Sequence, residues 1–160
     1  VPRLRDEKCF LRLDPDEVED VDHATTVGGS AEVGVQVGPD EMEPVDLIVS
    51  GSVAVTADGA RVGKGEGYSD LEFALLAEAG RVDADTTVAT TVHDAQVVGD
   101  DVVVESHDVP LDLIVTPTRT IETDTSYDRP AGVSWERLDP ERIEEIPVLG
   151  KLDGRDSLGS

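Results

Sequence analysis

The chain has 160 residues, the length of one domain and enough to bury a core of its own. Its 36 acidic residues stand against 13 basic ones, of which only three are Lys, and leave a formal net charge of −23. A surface this acidic repels phosphate backbones and anionic headgroups, which argues against nucleic acid and membranes as partners, and the single cysteine, Cys9, excludes an intrachain disulfide and a cysteine-rich metal site.

In dilute buffer such a surface also repels itself, whereas at roughly 1 M salt the Debye length falls to about 3 Å and the repulsion is screened. A salt-loaded cytoplasm suits the chain. High charge and 3% aromatic residues lean toward disorder, but the Val/Ile/Leu runs predict a folded core. The N-terminal stretch VPRLRDEKCFLRLDPDE has no apolar signal region, and no run approaches the ~18 apolar residues of a membrane span. A cytoplasmic protein is expected.

In chain order, KCFLRL (8–13) reads as a strand and the acidic run DPDEVEDVD (14–22) as the solvated start of a helix. VGVQV (33–37) alternates weakly. VDLIVSGSVAV (45–55) opens as an unbroken apolar run, the pattern of a strand covered on both faces of a parallel sheet. Asp58 and Gly59 supply a hairpin turn, and SDLEFALLAEAG (69–80) reads as a helix closed by Gly80. TTVATTVHD (86–94) and VPLDLIVTPT (109–118) are further strands, with VVGDDVVV between them read as a hairpin, or as a helix in its first part. GVSW (132–135) is expected as an edge strand, PERIEEIPVLGKL as a short helix stopped by Pro147, and residues 150–160 as a frayed tail. The whole predicts one α/β layered domain over 1–149.

Residues 59–72, GARVGKGEGYSDLE, concentrate the chemistry. Gly63, Gly65 and Gly67 fall at every second position beside Arg61 and Lys64, and Ser69 with Glu72 fits a capping box that starts the helix. Orphan amides and the helix dipole then converge on an anion, while Asp70 stands where it can hold Mg²⁺ against phosphate oxygens. The spacing is neither that of a P-loop nor of a Rossmann fingerprint, so the residues alone leave open a phosphate-holding loop or a plain turn. Elsewhere, His93 and Asp94 at a strand end read as a satisfied hydrogen-bonding pair. A triad of Ser50 or Ser52 with His93 lacks a nucleophile elbow. His107 orients the Asp108 loop, and Arg119 is expected in a surface ion pair.

The ordered set VDLIVSGSVAV, G-x-R-V-G-K-G-E-G-Y-S-D, Gln96 and HDVPLDLIVTPT resembles the 5-formyltetrahydrofolate cyclo-ligase family, most strongly over 45–118. GKGEGYSD, VHDAQVV, TPTRTI and a W-x-x-L followed by IPVL resemble its divergent methenyltetrahydrofolate synthetase domain-containing branch. The resemblance implies a three-layer α/β/α sandwich around a mainly parallel sheet, here lacking the N-terminal part of the family fold with its Lys/Arg-bearing helix. It also implies transfer of a phosphoryl group from ATP to the formyl oxygen of 5-formyltetrahydrofolate, followed by attack of N10 to give 5,10-methenyltetrahydrofolate. Carried onto this chain, Arg61, Gly63, Lys64, Gly65, Gly67 and Tyr68 line ATP and the folate, with Lys64 and Tyr68 catalytic, and Asp70 and Asp108 hold Mg²⁺. Ser69 replaces the second tyrosine of the family loop, and Glu66 stands where a glycine or a base is usual. The alternative is therefore a non-catalytic paralogue that keeps a nucleotide- or anion-binding loop.

Overall fold

A computed structural model describes residues 1–99 and 102–153. The chain forms two compact units, one of Val1–Glu43 with the segment from Trp135 onward, the other of Pro44–Ser134.

In the first unit β1 (Phe10–Arg12) pairs antiparallel with β2 (Val35–Val37), Phe10 opposite Val37. Between them lie two short helices, α1 (Val21–Ala24) and α2 (Val27–Val33). The acidic run 14–22 is turn rather than helix for most of its length. The Asp14 carboxylate accepts from the Asp16 amide, and Asp20 caps α1 by accepting from the His23 amide. The composition of VGGSAEV argues on balance against a helix, since only Ala31 and Glu32 are good formers while Gly and Val are poor ones. There the Thr26 hydroxyl fixes the start of α2 by accepting from Gly29 N at 2.9 Å. The unit closes with α4 (Pro140–Glu145) and α5 (Pro147–Leu152). Pro147 thus opens a second helix, at the position where a missing N–H costs nothing, and Gly150–Leu152 belong to it instead of to a tail. The rest of the expected tail, 154–160, lies outside the described residues. Trp135–Arg137 form a 3₁₀ turn, not the expected edge strand.

The second unit carries the α/β pattern. β3 (Leu47–Val49), β6 (Thr87–Thr91), β8 (Leu113–Val115) and β9 (Thr120–Glu122) form one sheet in that spatial order, the first three parallel and β9 antiparallel. β5 (Arg61–Val62), β4 (Ala54–Thr56) and β7 (Val97–Val98) form a second, with β4 parallel to β7. The run 45–55 is therefore two strands in two sheets, broken at Ser50–Val53. Its expected burial on both faces is also corrected: β3 is an edge strand whose Leu47 and Val49 are 55% and 65% exposed, while the alternating Ile48 points into the core. Val97–Val98 pair with β4 and not with a hairpin partner, and Val102–Val104 form no strand. The turn of the expected VVGDDVVV hairpin, at Gly-Asp or Asp-Asp, falls within 99–101, of which 100 and 101 lie outside the described residues.

α3 (Tyr68–Glu78) sets Phe73 against Val55, Val88, Val92, Val109, Leu111 and Ile114, the buried cluster that joins helix and strands. The β4–β5 hairpin turns at Gly59 as expected, with φ +99°. A Cβ there would lie 2.6 Å from the Leu111 carbonyl oxygen, and the Gly59 carbonyl accepts from Leu111 N at 2.9 Å. Gly59→Ala is expected to cost about 2 kcal/mol from the positive φ and the clash together, measurable as a lower midpoint in urea with an unchanged m-value.

Candidate functional site

Because β3, β6 and β8 run parallel, the segments leaving their C-terminal ends, 50–53, 92–96 and 116–119, lie along one edge of the sheet, where open α/β sheets place their ligand crevices. Beside that edge is a cleft of about 640 Å³, lined by Gly51–Val53, by Arg61–Asp70 and by Val102, Val103, His107 and Asp108. Every site residue chosen from the sequence lines it.

The glycine loop enters α3 differently from the capping-box expectation. The N-cap is Gly67, in the left-handed region at φ 67°, ψ 14°, and the helix starts at Tyr68, with no side-chain cap bond. Gly65 is also left-handed, at φ +89°, a conformation a side chain resists. Ser69 and Glu72 therefore sit inside the helix. The first turn of this eleven-residue helix, Tyr68–Asp70, lines the cleft and brings the positive end of the helix dipole to it.

The basic residues divide their work. Arg61 donates from Nη2 to Asp70 Oδ1 at 2.8 Å and from Nη1 to the Gly51 carbonyl at 3.1 Å. The two side chains are only 7% and 13% exposed. Asp70 Oδ1 also accepts from Val109 N at 3.0 Å. Lys64 is exposed and makes no ion pair among the described residues. Across the cleft Asp108 Oδ2 accepts from Glu105 N at 2.8 Å. His107 places Nε2 3.4 Å from Asp108 Oδ1, and its buried Nδ1 finds no hydrogen-bond partner among the described residues, Glu105 Oε2 being 3.6 Å away. Among the described residues no group of three or more His, Cys, Asp or Glu side chains is placed to cage a metal.

Glu72, one turn into α3, is half-buried, and burial raises its carboxyl to about 7 against the pull of Arg61. Since the folded pKa exceeds the unfolded one, the stability contribution is full below about pH 4.5 and is lost as pH rises through about 7. Glu72→Gln is expected to stabilise the fold by about 1 kcal/mol at pH 8, after discounting for solvent screening, and to have little effect at pH 4.5. Thermal melts at the two pH values test this.

The neighbouring strand ends are structural. Asp94 Oδ1 accepts from the Thr118 and Thr116 hydroxyls at 2.6 and 2.7 Å, with Arg119 Nε at 3.7 Å. The Thr118 and Thr116 hydroxyls, in that order, hold the Asp94 carboxyl below its usual range. No serine triad forms: His93 Nδ1 accepts from Ala95 N, and Ser52 Oγ lies 2.8 Å from Thr90 Oγ1. Gln96 enters the sequence reading only as part of the motif, and the apolar lining does not enter it at all. Gln96 donates to the Ser52 and Val53 carbonyls at 3.3 and 3.0 Å and so fixes one wall of the cleft. Val53, Val62, Val102 and Val103 give the cleft an apolar lining, for which only the general valine-richness of the chain was a signal.

Residues 2–117 match the model of the 5-formyltetrahydrofolate cyclo-ligase family, reaching well upstream of the glycine loop. The chain is 42% identical over 155 residues to a methenyltetrahydrofolate synthase domain-containing protein of Danio rerio, covering 94% of this chain and 40% of that one. The human protein of the same name is 45% identical over 132 residues, covering 82% of this chain and 34% of its own. The mouse protein is 46% identical over 132 residues, covering 82% and 36%. The chain thus spans between a third and two fifths of these relatives.

Proposed function

The chain belongs to the 5-formyltetrahydrofolate cyclo-ligase family, and we propose that its cleft carries out the ligase chemistry of that family: ATP- and Mg²⁺-dependent conversion of 5-formyltetrahydrofolate to 5,10-methenyltetrahydrofolate. The observation that carries this reading is the placement of the left-handed Gly65 and Gly67, the start of α3 and the exposed Lys64 on one side of the cleft with Asp108 on the other. In the reaction the γ-phosphoryl group of ATP passes to the formyl oxygen with ADP as the leaving group, N10 attacks the formyl carbon and gives up its proton, and phosphate departs with that oxygen. The protein has little covalent work to do in such a transfer; alignment and charge stabilisation dominate.

In this proposal the amides of Gly65 and Gly67 and the ammonium of Lys64 take the phosphate oxygens, with Gly63 keeping the loop close. The Tyr68 ring and the valine wall face the flat, weakly polar part of the folate. Asp108 is the carboxylate best suited to hold Mg²⁺ with the phosphates, where the ion supplies neutralisation of the developing charge. Asp70, the other expected ligand, has one oxygen committed to Arg61 and Val109. Among the described residues no helix is long and apolar enough to cross a membrane. The acidic surface favours a small-molecule substrate over nucleic acid and a salt-rich cytoplasm as the working environment.

The test follows methenyl formation by its absorbance from 5-formyltetrahydrofolate and MgATP in molar KCl. Turnover that requires both ATP and Mg²⁺ is expected. Retained MgATP binding with no turnover would instead establish the second reading, a nucleotide-binding paralogue, which Glu66 beside the phosphate loop and Ser69 in place of a tyrosine favour.

A further inference from the structure

Three stretches of chain line the cleft, and one side-chain pair touches all three. Arg61 holds the Gly51 carbonyl at the end of β3 and, through Asp70, the first turn of α3. The same Asp70 oxygen receives Val109 N, the residue that follows Asp108. A Cβ on Gly63 would lie 3.1 Å from Arg61 Nη1, so the loop folds tightly over the guanidinium. The pair is almost fully enclosed, and its two charges cancel.

From this arrangement we propose that Arg61 is a positioning residue and not a phosphate ligand. With Asp70 it forms a brace that sets the distance between the glycine loop and the His107–Asp108 turn. The inference rests on the cleft being the anion site of the proposed function, though not on any turnover there. A guanidinium suits such a brace because its planar fork addresses two acceptors at fixed angles, which an ammonium cannot do. A phosphate ligand would instead keep its donors toward the cleft, and neutralisation by a carboxylate would weaken it. Anion binding then falls to Lys64 and the amides, and Asp70 acts on Asp108 through the Val109 amide.

The two roles give opposite results for Asp70→Asn. If Arg61 were a phosphate ligand, removing its carboxylate partner would free the guanidinium and tighten anion binding. If the pair is a brace, Asp70→Asn loosens the loop as Arg61→Ala does, and the double variant is no worse than either single one. The measurement is calorimetric titration of tripolyphosphate with EDTA present, so that metal binding does not enter, at the lowest KCl that keeps the fold. It is paired with hydrogen exchange of the peptide bearing Val109. Expected are losses of about tenfold in affinity in Arg61→Ala, Asp70→Asn and the double variant alike, with faster Val109 exchange in all three. Arg61→Lys, which keeps the charge, is expected to behave as Arg61→Ala and stands in for it if that variant does not fold. Tighter tripolyphosphate binding in Asp70→Asn, or wild-type affinity in Arg61→Lys, overturns the proposal. These readouts do not depend on turnover, so an inactive wild type would overturn the ligase reading and leave the brace to be decided by its own data. In an active enzyme, kcat in Asp70→Asn is expected to fall far more than KM for MgATP rises, which lost stability alone would not produce.

Discussion

Replacement of Lys64 by Met is expected to lower kcat/KM for methenyl formation by roughly 10²- to 10³-fold, the usual cost of removing one preorganised charge from a transferring phosphoryl group. The expectation is this large because the loop has no substitute. Arg61 is neutralised by Asp70 at 2.8 Å, and the other charged groups at the cleft, Glu66 and Asp108, are acidic. Salt sharpens the point. At about 1 M ionic strength the Debye length is near 3 Å, so only a charge in contact with the phosphate still acts on it. Lys64→Arg should recover part of the loss. If Lys64→Met, folded by circular dichroism, stays within about threefold of wild type, the amides and metal carry the chemistry without it.

The parts of this fold legible in the sequence are those whose pattern and environment agree. Thr87–Thr91 and Leu113–Val115 are runs rich in β-branched residues, in strands with a neighbour on both sides of the sheet, and α3 carries Phe73 and Leu76 between an acidic start and Gly80. β3 misled because a run of apolar residues says nothing about whether a neighbouring strand exists on both sides. As an edge strand it leaves Leu47 and Val49 exposed. α2 could not be read at all, since a Gly-Gly pair in VGGSAEV argues against the helix that Thr26 nonetheless caps.

The site was legible as a set of residues and not as a mechanism. S-D-L-E matches a capping box in letters, yet Gly67 adopts the left-handed conformation and brings Tyr68 into the helix, which displaces Ser69 from the cap. Arg61 and Asp70 both looked like ligands because a charge beside glycines reads as reaching outward. Their mutual pairing, and the bond from Asp70 to a backbone amide 39 positions away, leave no periodic trace. Gln96 was visible in the motif, but its role depends on two carbonyls at the end of β3.

The fold itself should depend on salt more steeply than on any single side chain. With 36 acidic and 13 basic residues, compaction brings like charges together, and raising KCl from about 0.1 M to 1 M shortens the Debye length from about 10 Å to 3 Å. Relief on the order of 5 kcal/mol corresponds to a rise of roughly 10 to 20 °C in melting temperature for a chain of this size. Screening can be told apart from general exclusion of salt from the protein surface by where the effect stops. A screening gain flattens above about 1 M, whereas exclusion continues to grow and is reproduced by sucrose. A local control lies in the acidic turn before α1, where Glu17 and Glu19 are exposed and their side chains make no hydrogen bond or ion pair among the described residues. Replacing both by Lys should raise the melting temperature at 0.1 M KCl and change it little at 2 M. An equal rise at both concentrations would mean that local contacts, and not the net charge, limit stability in dilute buffer.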